Sequence, residues 1–286
     1  MGDTIAIQAF SKADTILATL NSVVRCRGSE NYDLLILQDG CFGSKRTEKY
    51  REARADTTRA IEAWAVANCQ HFLSLSFQQA DQNHGPYAIA ERVINKAFET
   101  SKSVIFSEDD VIFEEDAIQW FERALSHPGF LHPAVWAVAG EAKFFDAKRH
   151  APSPKEIRRA LDVARSQRLI DRFVYYDFLP SSCFATTRHK WAEFGKTRGA
   201  PNGDRDVNLR CRAEGKVCLW PVVARCRDIG MHHPLGYTVR WTGANHATTK
   251  NSYVVSGMLQ NASVELIELV EGREALRDEF IRRWDQ

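Results

Sequence analysis

The sequence predicts an α/β protein with a mostly parallel central sheet and helices on both of its faces. Three observations carry that prediction. Short apolar runs of strand length alternate with segments whose apolar residues recur at helical spacing, giving βαβαβαβ from "TIAIQAF" to "SVIFS". One run, "DLLILQD", is apolar from Leu34 to Leu37 between Asp33 and Asp39, as in strands buried on both sides. Carboxylates also stand just past such runs, at Asp39 and at Glu108, Asp109 and Asp110, and in sheets of this kind ligands collect outside the carboxyl ends of the strands.

Taken in order, "TIAIQAF" is β-rich. "ADTILATLNSVVRC" follows as a helix, with Ile16, Leu20, Val23 and Val24 on one side and Asp14 as its cap. The strand "DLLILQD" leads into a polar helix from about Lys45 to Asn68. Next come the strand "HFLSLSF", the polar loop "QQADQNHGP", the helix "YAIAERVINKAFETS" and the strand "SVIFS". Glu114, Glu115 and Asp116 are placed in the first turn of a further helix, where negative charge suits the macrodipole. Beyond it, "AVWAVAG" reads as a strand, "SPKEIRRALDVARSQRLI" as a polar helix or mobile insertion, and "FVYYDFLPSSCFATT" as extended chain. "RHKWAEF" is a short helix, "DRDVNLRCRAEG" a helix closed by Gly215, and "KVCLWPVVA" one more strand. The tail "SVELIELVEGREALRDEFIRRW" has helix-spaced apolar residues and late arginines, suited to packing on the domain, to a homodimer contact or to the surface of a membrane.

At 286 residues the chain has the length of one large α/β domain. No repeat or linker divides it, so 1–286 is read as a single domain, with 1–113 and 114–250 as its two halves and 251–286 as a C-terminal extension. A formal charge of +1 gives no global attraction to nucleic acid or anionic lipid. Seven scattered cysteines without a C-x-x-C pair signal neither a disulfide framework nor a structural zinc site, which suits a reducing cytoplasm. Neither a signal peptide nor an uninterrupted apolar span of about 18 residues is seen.

The triplet Glu108, Asp109 and Asp110 is the strongest chemical signal. Like charges at the end of a buried strand repel unless a cation is near. Hard divalent ions bind through one or two carboxylates plus substrate phosphates, which suits the triplet, although a solvated turn has the same spacing. Asp204 and Asp206 carry two readings as well, a helix N-cap with a surface neighbour or a catalytic pair.

"VIFSEDDVIFEEDAIQWFERAL" resembles the E-D-D segment of GT-A fold glycosyltransferases, and within them the N-acetylglucosaminyltransferase I type. Other segments resemble that family in the same order: "AFSKADTILATLNSV", "LLILQDGCFGS", "NHGPYAIAERVINKAFE", "LHPAVWAVAG" and "DRDVNLRCRAEG", together covering about Thr4 to Gly236. The tryptophans that flank the acidic pair of that type are absent around Asp204. The resemblance implies an inverting, Mn²⁺- or Mg²⁺-dependent transferase acting on a UDP-sugar, UDP-GlcNAc among the options, and a glycan or glycoconjugate hydroxyl. It casts Asp39 on the uracil ring, Lys12 at the first strand-to-helix turn, Asp110 on the metal, Glu108 and Asp109 beside it or on the ribose, and Asp204, or else Asp206, as the base. His232 and His233 stand where a late histidine of such enzymes meets metal or diphosphate, though histidines in a loop are often merely exposed. Arg92 is placed on phosphate, uracil or solvent, and Gly85 in a close backbone approach or a simple turn before Pro86. Two rival classes are a metal-dependent nucleotidyltransferase, for which no G-x-x-x-x-G-K-[ST] loop is present, and a non-catalytic nucleotide-sugar-binding domain of the same fold.

Overall fold

Buried strands near the N-terminus seed the sheet. The computed structural model describes residues 3–41, 45–48, 50–141, 172–179, 181–221, 224–230, 233–236 and 265–266. In chain order the elements begin with β1 (Asp3–Ala9), α1 (Ala13–Val24), β2 (Tyr32–Gln38), α2 (Lys45–Glu48), α3 (Arg51–Asn68), β3 (Ser74–Gln79) and α4 (Gly85–Ala97). They continue with β4 (Ser103–Ser107), β5 (Val111–Phe113), α5 (Ala117–Ser126), α6 (Pro128–Leu131), β6 (Val135–Ala139), β7 (Arg172–Tyr176) and β8 (Cys183–Thr187). Last are α7 (Arg188–Arg198), α8 (Gly203–Ala213), β9 (Val217–Pro221), β10 (Cys226–Asp228) and β11 (Glu265–Leu266).

Among the described residues nine strands form one sheet in the order β11-β7-β9-β6-β8-β4-β1-β2-β3. Strands β3, β2, β1 and β4 are mutually parallel, and β6 and β9 run the same way. β8 is antiparallel to β4 and β6, and β7 is antiparallel to β9. The sheet is therefore mostly parallel, as expected. Alternation along β1 divides the interior, because successive side chains of a strand point to opposite faces. Ile5 and Ile7 join Ile16, Leu20 and Val23 of α1, Ile61 and Trp64 of α3, and Ile118 and Phe121 of α5. Ala6 joins Val93 and Ile94 of α4, Trp191 and Phe194 of α7, and Val207 and Cys211 of α8. Helices thus cover both faces, and the loops past β1, β2, β4 and β6 leave one edge.

Several expectations are corrected. The position before α1 is Lys12, with no side-chain cap, and Asp14 lies in the first turn. The helix expected from Lys45 to Asn68 is broken into α2 and α3, because the Thr47 hydroxyl is tied to the Cys41 carbonyl at 2.9 Å and Tyr50 turns in to pack on Phe10. β3 starts at Ser74, level with Asp33 of β2, rather than at His71. Glu114 and Glu115 precede α5 and Asp116 is its N-cap residue, since the chain first forms β5 and pairs with β10. The extended segment is two strands, β7 and β8. The polar insertion "SPKEIRRALDVARSQRLI" lies outside the described residues. So does the C-terminal helix apart from Glu265 and Leu266, which form a strand beside β7. No helix among the described residues is long and apolar enough to cross a membrane.

Candidate active site

The register of β1 and β4 brings the site together. Ile7 lies level with Ser107, so the residues that follow each strand emerge side by side. The Phe10 amide donates to Asp109 Oδ2 at 3.1 Å. Lys12 Nζ lies 2.7 Å from Asp109 Oδ1 and also donates to Asp110 Oδ2. Asp109 and Asp110 are 5% and 8% exposed, so this is a largely desolvated cluster. Burial by itself would lower the Lys12 ammonium, but Asp109 and Asp110 outweigh it and hold the group well above the ordinary lysine range. Burial likewise drives the Asp109 carboxyl up, while Lys12 and the Phe10 amide pull against it. The second Asp110 oxygen, Oδ1, is buried without a hydrogen-bond partner.

The other side of this cluster is closed by the chain leaving β10. Ile229 N donates to the Asp110 carbonyl at 2.8 Å. A side-chain carbon at Gly230 would lie 1.7 Å from Asp110 Oδ2, so the backbone fits against that carboxylate only because the residue is glycine.

Glu108 points to a different cation. Its amide donates to the Ser182 carbonyl at 2.8 Å, and its Oε1 lies 3.8 Å from Nη2 of Arg198 at the end of α7. Burial pushes the Glu108 carboxyl well above the glutamate range, with Asp110 adding to the effect and Arg198 opposing it. Arg198 Nη1 is also 3.3 Å from Asp204 Oδ1 at the start of α8. Two charged groups therefore adjoin through the consecutive residues Glu108 to Asp110: Lys12 with Asp109 and Asp110, and Arg198 with Glu108 and Asp204. When all are ionised, four carboxylates face two cations, an excess of two negative charges. Asp206 sits in the first turn of α8, with its amide bonded to the Asn202 carbonyl at 3.0 Å.

Asp39 is placed at the same edge but is already occupied. Its Oδ1 accepts from Gly40 N at 2.9 Å and His84 N at 2.8 Å, and its Oδ2 accepts from Gly85 N and Asn83 Nδ2, both at 2.9 Å. Four bonds fill a carboxylate's acceptor sites, so the expected contact with a uracil N–H is replaced by a grip on the loop before α4. Burial raises this carboxyl and the three backbone bonds oppose the rise. Gly85 has φ +79°, a left-handed turn that favours glycine, and open space surrounds its missing side chain. The turn before Pro86 is thus the reading its backbone supports. Arg92 is exposed and borders a cavity of about 470 Å³ beside β3 with Gln78, His84 and Lys96, rather than the acidic array.

His233 is also engaged elsewhere. Its Nδ1 accepts from Leu235 N at 3.2 Å, which makes Nε2 the donor to Asp14 Oδ1 at 3.1 Å. Both ring nitrogens are used, and a role as metal ligand is not what this arrangement favours. His232 lies outside the described residues. Among the described residues no three His, Cys, Asp or Glu side chains are grouped as a metal centre. The unpartnered Asp110 Oδ1 and the excess negative charge nevertheless fit a hard divalent cation held mainly by Asp110, with other ligands from a substrate.

Sequence reasoning missed Arg198, Gly230 and Glu141. Arg198 stands between Thr197 and the turn "GAPNG" directly ahead of Asp204, and a cation beside an acidic pair was the available signal. Glu141 follows the buried β6 as Asp39 follows β2; it is fully buried and accepts from the Ser182 hydroxyl.

No family model matches the sequence, and no curated protein matches it. Solved structures to which the chain is similar include residues 1–349 of S. aureus TarS in complex with UDP, at 12% identity and a TM-score of 0.40, covering 79% of this chain and 60% of that one. Another S. aureus TarS structure is similar at 11% identity and a TM-score of 0.39, covering 77% of this chain and 35% of that one. The chain thus spans less than two thirds of the length of either.

Proposed function

We propose that this protein is an inverting, metal-dependent glycosyltransferase of the GT-A kind, moving a sugar from a UDP-sugar to a hydroxyl of a glycan or glycoconjugate. UDP-GlcNAc is the first donor to test, given the likeness of the E-D-D segment to the N-acetylglucosaminyltransferase I type. One observation carries the reading: carboxylates with two separable jobs meet at the carboxyl edge of a mostly parallel sheet, Asp109 and Asp110 on one side and Asp204 on the other. The sequence carries no G-x-x-x-x-G-K-[ST] phosphate loop, which counts against the nucleotidyltransferase reading.

Transfer with inversion forms a bond from the acceptor oxygen to the anomeric carbon as the bond to the UDP oxygen breaks on the opposite side. A carboxylate must take the acceptor's proton during attack. Asp204 suits this task, with about a third of its side chain exposed. Lys12 keeps Asp109 and Asp110 together at the donor end, and its ammonium offsets charge that would otherwise repel a departing diphosphate. Mn²⁺ or Mg²⁺ bound by Asp110 would neutralise the charge that builds on that diphosphate. Asp39 contributes by shaping the loop from Asn83 to Gly85, beside which the nucleotide would lie. The cysteines are free, which suits the reducing cytoplasm in which we place the protein.

The test is calorimetric titration of UDP with and without Mn²⁺. Wild type should bind UDP more tightly with the metal, and Asp110→Ala should lose that difference, because one or two carboxylates need the phosphates to complete a site. An unchanged Mn²⁺ effect in Asp110→Ala rejects the assignment. Metal-dependent UDP binding with no release of UDP from any nucleotide sugar would mark a binding domain instead.

A further inference from the structure

We propose that Arg198 is a positioning residue that clamps one oxygen of Asp204 and so presents the other side of that carboxylate to the acceptor. The inference rests on the reading of Asp204 as the base. Arg198 is fully buried at the floor of the site. A buried guanidinium is sustained only where carboxylates and acceptors offset its desolvation. Here Asp204 Oδ1 lies 3.3 Å from Nη1, Glu108 Oε1 lies 3.8 Å from Nη2, and Nη2 donates to the Ser181 carbonyl at 3.2 Å. The guanidinium thus ties the acceptor-side carboxylate to the donor-side triplet, with the rings of Tyr87 and Phe106 packed against it at 5.3 and 6.0 Å.

Asp204 has two unlike sides. Oδ1, which faces Arg198 as an ion pair, is buried and, like Nη1, makes no hydrogen bond, yet 34% of the side chain is exposed, so the accessible part is the side that carries the other oxygen. The backbone leading to Asp204 is closely packed as well. Gly203 N donates to the Ala200 carbonyl at 2.9 Å, and a side-chain carbon at Gly203 would lie 2.1 Å from the Arg198 carbonyl oxygen and 3.0 Å from the Tyr87 ring. Asp204 therefore leaves a turn packed closely against the Arg198 backbone and Tyr87. A single orientation of the base is what a proton transfer timed with attack requires, since a misplacement of about 1 Å can cost on the order of a hundredfold in rate.

A mutant cycle tests the clamp. UDP release from UDP-GlcNAc with Mn²⁺ is measured for wild type, Asp204→Asn, Arg198→Gln and the double variant, with UDP affinity and thermal melting for each. Arg198→Gln should lower kcat by about ten- to a hundredfold while KM for UDP-GlcNAc stays within about twofold, and Arg198→Lys should recover part of the loss. The double variant should be no slower than Asp204→Asn alone, because residues that act as a unit are not additive. A double variant slowed by the product of the two single losses overturns the clamp alone. Near-normal turnover of Asp204→Asn removes the base reading instead. Where Arg198→Gln shows no cooperative melting, Arg198→Lys takes its place in the cycle. Melting shifts give a readout that needs no turnover: additive shifts for positions 198 and 204 reject the contact itself.

Discussion

Asp39 and Asp110 are both buried aspartates past the ends of the two parallel strands that flank β1, yet one accepts four hydrogen bonds and the other keeps an oxygen without a partner. Their positions were legible in the sequence, because a carboxylate after an apolar run is visible without a structure. Their partners were not, since the Asp39 grip comes from Asn83, His84 and Gly85 across a loop and Lys12 reaches Asp110 from another strand end. Asp39→Ala should leave backbone amides of the loop unpaired and cost about 2–3 kcal/mol in urea denaturation, the range for buried groups that lose a charged partner. A loss within experimental error would show that the loop holds itself. Asp204→Asn keeps the shape of the side chain and removes its basicity, so kcat should fall by roughly two to four orders of magnitude while UDP affinity survives. Asp206→Asn is the comparison, and a greater loss there moves the role to Asp206, two residues on in α8.

Elements with strong periodicity were legible as elements. The buried positions of α4, Ile89, Ala90, Val93, Ile94 and Ala97, fall at helical spacing that the sequence displays. The pairing of β5 with β10 was not, because Cys226 meets Phe113 across more than a hundred residues of chain and neither strand exceeds three residues. That small ribbon matters because it leads directly to Ile229 and Gly230 against Asp110. In Gly230→Ala the added carbon cannot share space with the Asp110 carboxylate, and overpacking of this kind costs about 1–3 kcal/mol. If the strain falls on Asp110, UDP affinity with Mn²⁺ should weaken about tenfold, whereas affinity without the metal should change little. Equal weakening in both conditions would place the strain outside the metal site.

For the molecule as a whole, the direction of the carboxyl shifts sets a pH dependence. Burial raises Asp39, Glu108, Asp109, Glu114 and Glu122 above their ordinary values. A raised group binds more protons folded than unfolded, so its contribution is fully present below the unfolded value near 4 and is lost as pH rises through the folded value. Ligand-free protein should melt at a higher temperature at pH 5 than at pH 7.5, and Asp109→Asn should flatten the difference. A melting temperature that climbs between these values would contradict the upward shift of these carboxyls. The parallel half of the sheet was legible because β1, β2 and β3 are each followed by helix before the next strand. The far half was not: β8 inserts between β4 and β6 in the opposite direction, an arrangement set by contacts distant in the chain. The sheet order has a consequence for synthesis. β1 to β4 neighbour one another in space and are made first, so Lys12 can meet Asp109 and Asp110 before the ribosome has produced Arg198, Asp204 or Gly230. A nascent chain would assemble the cluster of Lys12, Asp109 and Asp110 early, and the side that carries Arg198 and Asp204 would wait for residues far downstream, with the unpaired edge of β4 exposed until β8 arrives.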